Sequence, residues 1–230
     1  MAAHTGQERR SAALFDLDGT LVDTTYLHTL AWWQALRQHG HEVPMARIHR
    51  AIGMGADRIL DELIGPSRSR SDDESLADAH GTLYAVWYDA LRPFEGAADL
   101  LRAAAARGWT VVLASSASED EVAAIRRALD ADEVIAAATA GGDVDSTKPA
   151  PDLVERALEK AGAEAENAVF VGDTVWDIEA AGRAGLPCVA LLTGGTSRGE
   201  LEKAGAAAVY EDAAELLRGI DTSPLGRPGP

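Results

Sequence analysis

The segment Asp16-Leu17-Asp18-Gly19-Thr20 sets two carboxylates two residues apart, directly after a short apolar run. Past the end of a strand, two such groups can diverge around one phosphoryl group. One is a nucleophile able to form an acyl phosphate. The other can protonate the leaving oxygen and later deprotonate water. Gly19 permits the turn. An acidic turn without chemistry would look the same. A calcium loop would not, because it needs glycine at its sixth position and glutamate at its twelfth; here glycine is fourth and Leu27 is twelfth. Other polar residues recur at the ends of apolar runs, notably Ser115, Ser116 and Asp173, and Asp177 follows Asp173 at a spacing that suits a shared ion.

The elements that would position these groups are legible as alternating runs. Apolar stretches at 12–16, 109–114, 168–171 and 188–192, with weaker ones at 133–139 and 207–210, predict strands. Alanine-rich stretches at 97–107, 118–129, 151–161, 176–184 and 198–204 predict helices between them. This alternation implies right-handed crossovers and an α/β fold, a Rossmann-like doubly wound parallel sheet covered on both faces. In such a sheet the carboxyl ends of the strands form one rim, where Asp16, Ser115, Ser116 and Asp173 would converge.

Residues 22–93 break the alternation and read as helical, roughly at 24–39, 46–52, 56–64 and 74–91. The expected organisation is therefore a core domain from 1–21 and 94–221, with an inserted all-α cap over 22–93. Residues 65–71 look like an exposed loop, and the Pro- and Gly-rich tail 222–230 is expected to be disordered. Leu-Glu-Lys-Ala-Gly-Ala occurs at 158–163 and again at 201–206, each copy reading as a helix end with Gly162 or Gly205 as its left-handed cap.

The bulk properties limit the partners. At 230 residues and 47% hydrophobic the chain can bury a substantial core. Its formal net charge of -16 argues against a nucleic-acid surface and against anionic membrane. A protein this acidic can hold phosphate only by building a local positive site from a metal, a lysine or helix N-termini. Cys188 is the single cysteine and sits in an apolar run, so it reads as a buried strand thiol, and a cytoplasmic setting is expected. The first residues lack the apolar stretch of a signal peptide, and no window resembles a membrane span.

Phe15-Asp16-Leu17-Asp18-Gly19-Thr20-Leu21-Val22-Asp23 closely resembles the first motif of haloacid dehalogenase superfamily phosphatases. Leu113-Ala114-Ser115-Ser116 resembles the second, Thr147-Lys148-Pro149-Ala150-Pro151-Asp152 the third, and Val171-Gly172-Asp173-Thr174-Val175-Trp176-Asp177 the fourth, in the family's order. The resemblance implies Asp16 as nucleophile and Asp18 as general acid and base. It implies a Mg2+ site formed by Asp16, Asp18 (through its carbonyl), Asp173 and Asp177, the last directly or through water. It places Ser115, Ser116, Gly19, Thr20 and Lys148 around the phosphate, with Lys148 offsetting the charge of Asp16.

The insertion resembles the helical cap of the phosphoglycolate phosphatase and β-phosphoglucomutase branch, which closes over the site and selects the substrate. Gly53-Met54-Gly55-Ala56-Asp57-Arg58 resembles its specificity loop, and His28 stands where the mutase branch carries a histidine near the hinge. His80, Arg47, Arg50 and Arg58 are candidate contacts for an anionic substrate body. Trp32, Trp33, Tyr84, Trp87 and Tyr88 recur at helical spacing and read as cap core. The expected activity is hydrolysis of a small phosphorylated metabolite, of phosphoglycolate or sugar phosphate type. A phosphosugar mutase is the alternative, weakened by Ala56 where the mutase pattern has arginine. A catalytically inactive binding or regulatory relative and a haloacid dehalogenase are the others; Asp18 speaks against the last.

Overall fold

Continuous burial on two faces is what an unbroken apolar strand requires. In the computed structural model, which describes residues 10–143 and 146–228, β1 (Arg10–Phe15) is buried from Ser11 onward. It runs parallel to β2 (Thr110–Leu113) on one side and β4 (Ala163–Gly172) on the other. With β3 (Ile135–Ala138), β5 (Cys188–Leu191) and β6 (Ala208–Tyr210) the sheet order is β3-β2-β1-β4-β5-β6, every pairing parallel.

Strand alternation divides the core in two. Ala13, Phe15, Val169 and Val171 face a cluster that α5 (Ala97–Ala106), α6 (Glu119–Leu129) and α10 (Ala213–Arg218) cover through Leu100, Ile125 and Leu216. Ala12, Leu14, Ala168 and Phe170 face the other, covered by α7 (Asp152–Ala161), α8 (Val175–Ala184) and α9 (Arg198–Ala204) through Val154, Ile178 and Leu201. The sheet is doubly wound, as the alternation of elements predicts. Gly162 and Gly205 are left-handed caps, at φ +65 and +104. Helix α10 is absent from the sequence expectation, because six residues are too few for periodicity to register.

The insertion holds α1 (Thr25–Gln38), α2 (Met45–Ala51), α3 (Ala56–Ile64) and α4 (Asp73–Ala85), packed around Trp32, Leu36, Ile48, Ile59, Leu60 and Leu76. The chain leaves and returns through paired segments: Val22 bridges Pro93, Asp23 N donates to Arg92 O at 3.0 Å, and Phe94 N donates to Leu21 O at 3.0 Å.

Three expectations are corrected. The helix expected over 74–91 stops at Ala85, and a short 3-10 turn at Tyr88–Ala90 follows. That turn sends Trp87 and Tyr88, with Tyr84, into the cluster under the sheet, leaving Trp32 and Trp33 in the insertion's own core. Residues 222–228 are ordered against the core: Leu225 is fully buried and its carbonyl accepts from Trp109 Nε1 at 3.0 Å, the acceptor a buried indole needs. Positions 229–230, like 1–9, lie outside the described residues. Among the described residues no helix is long and apolar enough to cross a membrane.

Candidate active site

Chain order reverses between β1 and β4, so loops diverge there and open a crevice beyond the strand ends. Asp16 follows β1 and Asp173 follows β4. Oxygens of Asp16, Asp173 and Asp177 lie within 4.8 Å of one another, and all three side chains are buried. Lys148 Nζ, also buried, donates to Asp16 Oδ1 at 2.6 Å and to Asp177 Oδ1 at 2.7 Å.

One lysine does not balance three buried carboxylates. Burial pushes Asp16 up to about 7; Lys148 opposes this and Asp177 adds to it. Burial also pushes Asp173 well above the usual carboxylate range, with Asp177 and Asp16 reinforcing the shift. For Lys148, burial disfavours the charge, but Asp16 and Asp177 outweigh it and push the pKa up. Asp173 Oδ1 accepts from Thr20 Oγ1 at 2.6 Å, while its Oδ2 is buried without a hydrogen-bond partner. Excess negative charge around an orphaned carboxylate oxygen fits a hard divalent cation with oxygen ligands.

Asp177 is differently placed. Its Oδ2 accepts from Thr174 Oγ1 at 2.6 Å, Thr174 N at 3.0 Å and Asp173 N at 3.3 Å, closing a capping box on α8. Its Oδ1 accepts from Lys148 Nζ at 2.7 Å, so both oxygens already hold donors. Asp16 is fixed by its amide, which donates to Val171 O at 2.9 Å.

Asp18 faces the insertion. Its Oδ1 accepts from Thr24 Oγ1 at 2.7 Å and lies 3.1 Å from His28 Nε2 on α1. Burial alone would raise the Asp18 carboxyl, but His28 and Thr24 bring it below the usual range. His28 Nε2 is equally 3.1 Å from Glu121 Oε1 on α6, and His28 Nδ1 is 3.1 Å from His80 Nε2 on α4. Although burial works against it, the two carboxylates push His28 up to about 10, so it is an imidazolium donating from both nitrogens. His80 Nε2 must then accept, and burial together with His28 keeps His80 neutral. The rings form a stack, His28 on Tyr84 at 3.9 Å and His80 on Trp32 at 4.2 Å between centroids.

A cavity of about 240 Å³ brings together Asp16, Asp18, Lys148, Ser115 and Ser116. Ser115 is anchored by its amide on Thr139 Oγ1 at 3.0 Å, and its Oγ accepts from Ala117 N at 3.0 Å. Ser118, not Ser115, caps α6 through Glu121 N. From the insertion, His28, Gly53 and His80 line this cavity.

Gly19, Thr20 and Arg58 stand outside the cavity lining. The amides of Gly19 and Thr20 are used inside the turn, on Val22 O and Leu17 O, and the Thr20 hydroxyl is spent on Asp173. Neither residue lines the cavity. Gly19 serves instead by close approach, since a Cβ there would lie 2.6 Å from Asp173 Oδ2. Arg58 is exposed on α3 and does not line the cavity; Arg47 and Arg50 line a different one, beside Thr174 and Glu200.

The insertion rests on the core at defined points. Gly55 N donates to Thr147 Oγ1 at 3.1 Å, and a Cβ on Gly55 would lie 2.4 Å from Thr147 Cγ2. A Cβ on Gly53 would lie 2.9 Å from Thr174 Oγ1. His49 Nε2 lies 2.9 Å from Gly194 O, and Trp176 Nε1 donates to Arg50 O at 3.2 Å. Glu121 and Thr24 escape sequence reasoning. Glu121 stands in the acidic first turn Glu119-Asp120-Glu121, and nothing in its type or spacing separates it from its solvated neighbours.

Comparison with known proteins identifies the chain's relatives. The family model of haloacid dehalogenase-like hydrolases matches residues 11–185. A phosphoglycolate phosphatase of Rhodospirillum rubrum is 30% identical over 214 residues, spanning 89% of this chain and 88% of that protein. A hydrolase from Pseudomonas syringae of known structure is 34% identical with a TM-score of 0.87, over 93% of this chain and 99% of that one. CbbY from Rhodobacter sphaeroides, solved in complex with phosphate, is 28% identical with a TM-score of 0.75, over 92% and 99%.

Proposed function

The chain belongs to the haloacid dehalogenase-like hydrolases and is a phosphatase of that family, and on this premise we propose that it requires Mg2+ and cleaves small phosphate monoesters through an aspartyl-phosphate on Asp16. The observation that carries this reading is the orphaned Oδ2 of Asp173, set among buried carboxylates with Lys148 on Asp16. Asp16, Asp173 and the Asp18 carbonyl would hold the metal, with Asp177 acting through water. When bound, the metal supplies positive charge to the phosphoryl oxygens and to Asp16.

The chain's own residues account for the rest. Lys148 orients Asp16 and neutralises part of the charge that would repel a phosphate. Ser115 and Ser116 border the same cavity and offer hydrogen bonds to phosphoryl oxygens. In the first half-reaction an Asp16 oxygen bonds to phosphorus as the ester P–O bond breaks, and the leaving oxygen takes a proton from Asp18. That proton reaches Asp18 from His28, the imidazolium hydrogen-bonded to it, so the transfer leaves Asp18 ionised and His28 neutral. In the second half-reaction Asp18, held ionised, accepts a proton from the water that attacks the aspartyl-phosphate. The helical insertion acts as the cap that excludes bulk water.

A mutase would need to seat a second phosphate. Ala56 stands at the specificity loop, and among the described residues no arginine lines the cavity. The test is release of inorganic phosphate from p-nitrophenyl phosphate and a panel of small phosphate monoesters, with Mg2+ or with chelator. Turnover that needs Mg2+ is expected. Equal turnover in chelator, or conversion of a phosphosugar to an isomer without free phosphate, would reject the reading.

A further inference from the structure

The part of the cavity beyond Ser115 and Asp16 must hold whatever the phosphate is attached to. Its walls are Trp32, Ile52, Met54, His80, Ser118 and Glu121. Among the described residues Lys148 is the single lysine or arginine lining the whole cavity, and it is bound between Asp16 and Asp177. Among the described residues no further lysine or arginine stands there for a carboxylate or a second phosphate.

The wall instead carries two carboxylates, Asp18 and Glu121, each 3.1 Å from His28 Nε2. Glu121 is 7% exposed, and burial raises its carboxyl while His28 draws it back. Its Oε1 lies buried 3.1 Å from His28 Nε2, a nitrogen equally close to Asp18 Oδ1, so one N–H serves two carboxylates and Glu121 keeps acceptor capacity. A buried carboxylate with unfilled acceptor capacity is costly unless a donor is supplied. Trp32, with His80 stacked on it, supplies an apolar face beside this acceptor.

We propose that Glu121 is a specificity-determining residue that accepts a hydrogen bond from the leaving group, and that the preferred substrates are small phosphate monoesters of an uncharged, hydroxyl-bearing alcohol rather than of a carboxylate-bearing or doubly phosphorylated one. The proposal rests on the phosphatase reading above and narrows it. Between the phosphoglycolate and sugar phosphate types it selects the second. A carboxylate on the leaving group would lie near Glu121 and Asp18 in a partly desolvated cavity, where like charges repel strongly.

The experiment compares kcat/KM for glycerol 3-phosphate, phosphoglycolate and a sugar bisphosphate, in wild type and in Glu121→Gln. Wild type should favour glycerol 3-phosphate over phosphoglycolate by on the order of tenfold or more. In Glu121→Gln the ratio between those two esters should fall severalfold, whereas a merely structural role would lower all rates alike. Preference for phosphoglycolate or the bisphosphate, or an unchanged ratio in the variant, would overturn the proposal. Calorimetric titration of Asp16→Asn with Mg2+ and the same esters reads the preference without turnover, and weaker binding of glycerol 3-phosphate than of phosphoglycolate, or no binding of either, would also overturn it. Failure of wild type to hydrolyse p-nitrophenyl phosphate strikes the phosphatase reading separately.

Discussion

Thr20 Oγ1 donates a 2.6 Å hydrogen bond to Asp173 Oδ1 across 153 positions of sequence. The bond fixes which carboxylate oxygen is spent and which is left bare. Outer partners of metal ligands typically change metal affinity by ~10–100-fold when lost. Thr20→Val keeps the shape of the buried side chain and removes the donor. Its Mg2+ requirement, read from activity against Mg2+ concentration, should rise by about tenfold or more, with the rate at saturating Mg2+ much less affected. An unchanged Mg2+ midpoint would show that Asp173 needs no orientation from Thr20.

Asp16→Asn removes the nucleophile while nearly preserving volume and the chance to accept from Lys148. Turnover should fall by ~10⁴-fold or more, the scale of losing a nucleophile. The melting curve should stay cooperative and should not move down, because a carboxylate that burial disfavours has been removed. Undiminished phosphate release by this variant would exclude the aspartyl-phosphate.

The sheet and its rim are legible in the sequence because β-strands buried on both faces are written as continuous apolar runs, and Asp16 and Asp173 stand directly after two of them. Lys148 can be read from its motif but not from its chemistry; only the folded chain shows it buried between Asp16 and Asp177. Thr20 reads as a phosphate contact because a hydroxyl next to a phosphate loop suits that role, and its commitment to Asp173 depends on a contact between distant segments. Glu121 and Tyr84 are illegible for a related reason. Each belongs to a helix whose local pattern looks solvated or cap-facing, and only the meeting of α1, α4 and α6 around His28 buries them.

Gly55 gives a clean test of closure. Its φ of -78 is open to any residue, so Gly55→Ala introduces no backbone strain. The added Cβ would meet Thr147 Cγ2 at 2.4 Å, which blocks the seated position of the insertion but not a lifted one. Misplacement of this size at an active site costs on the order of 10- to 100-fold in rate. We expect kcat/KM to drop in that range, at an unchanged melting temperature. The same Cβ would lie 2.5 Å from Thr147 Oγ1 and 2.6 Å from its Cβ, so Thr147→Gly in the same chain removes all three clashing atoms and should recover part of the loss.

Removing the metal should expose the charge imbalance at the rim. Mg2+ at about 100 times its Kd adds ~2.7 kcal/mol of stability by mass action. For a chain of this size that is a rise in Tm of ~5–10 °C, read by calorimetry against chelator. The pH dependence has a definite sign. In the metal-free fold Asp16 is raised from 3.8 to about 7, chiefly by burial, so the folded chain binds a proton there that the unfolded chain has released. The stability linked to that proton is fully present below about pH 4 and is lost as pH rises through about 7. The chelated protein should therefore lose Tm across that interval, and the gap between its curve and the Mg2+ curve should widen toward neutral pH. A gap that is constant with pH would mean that Asp16 keeps an ordinary carboxylate pKa in the fold and that the cation does not relieve it.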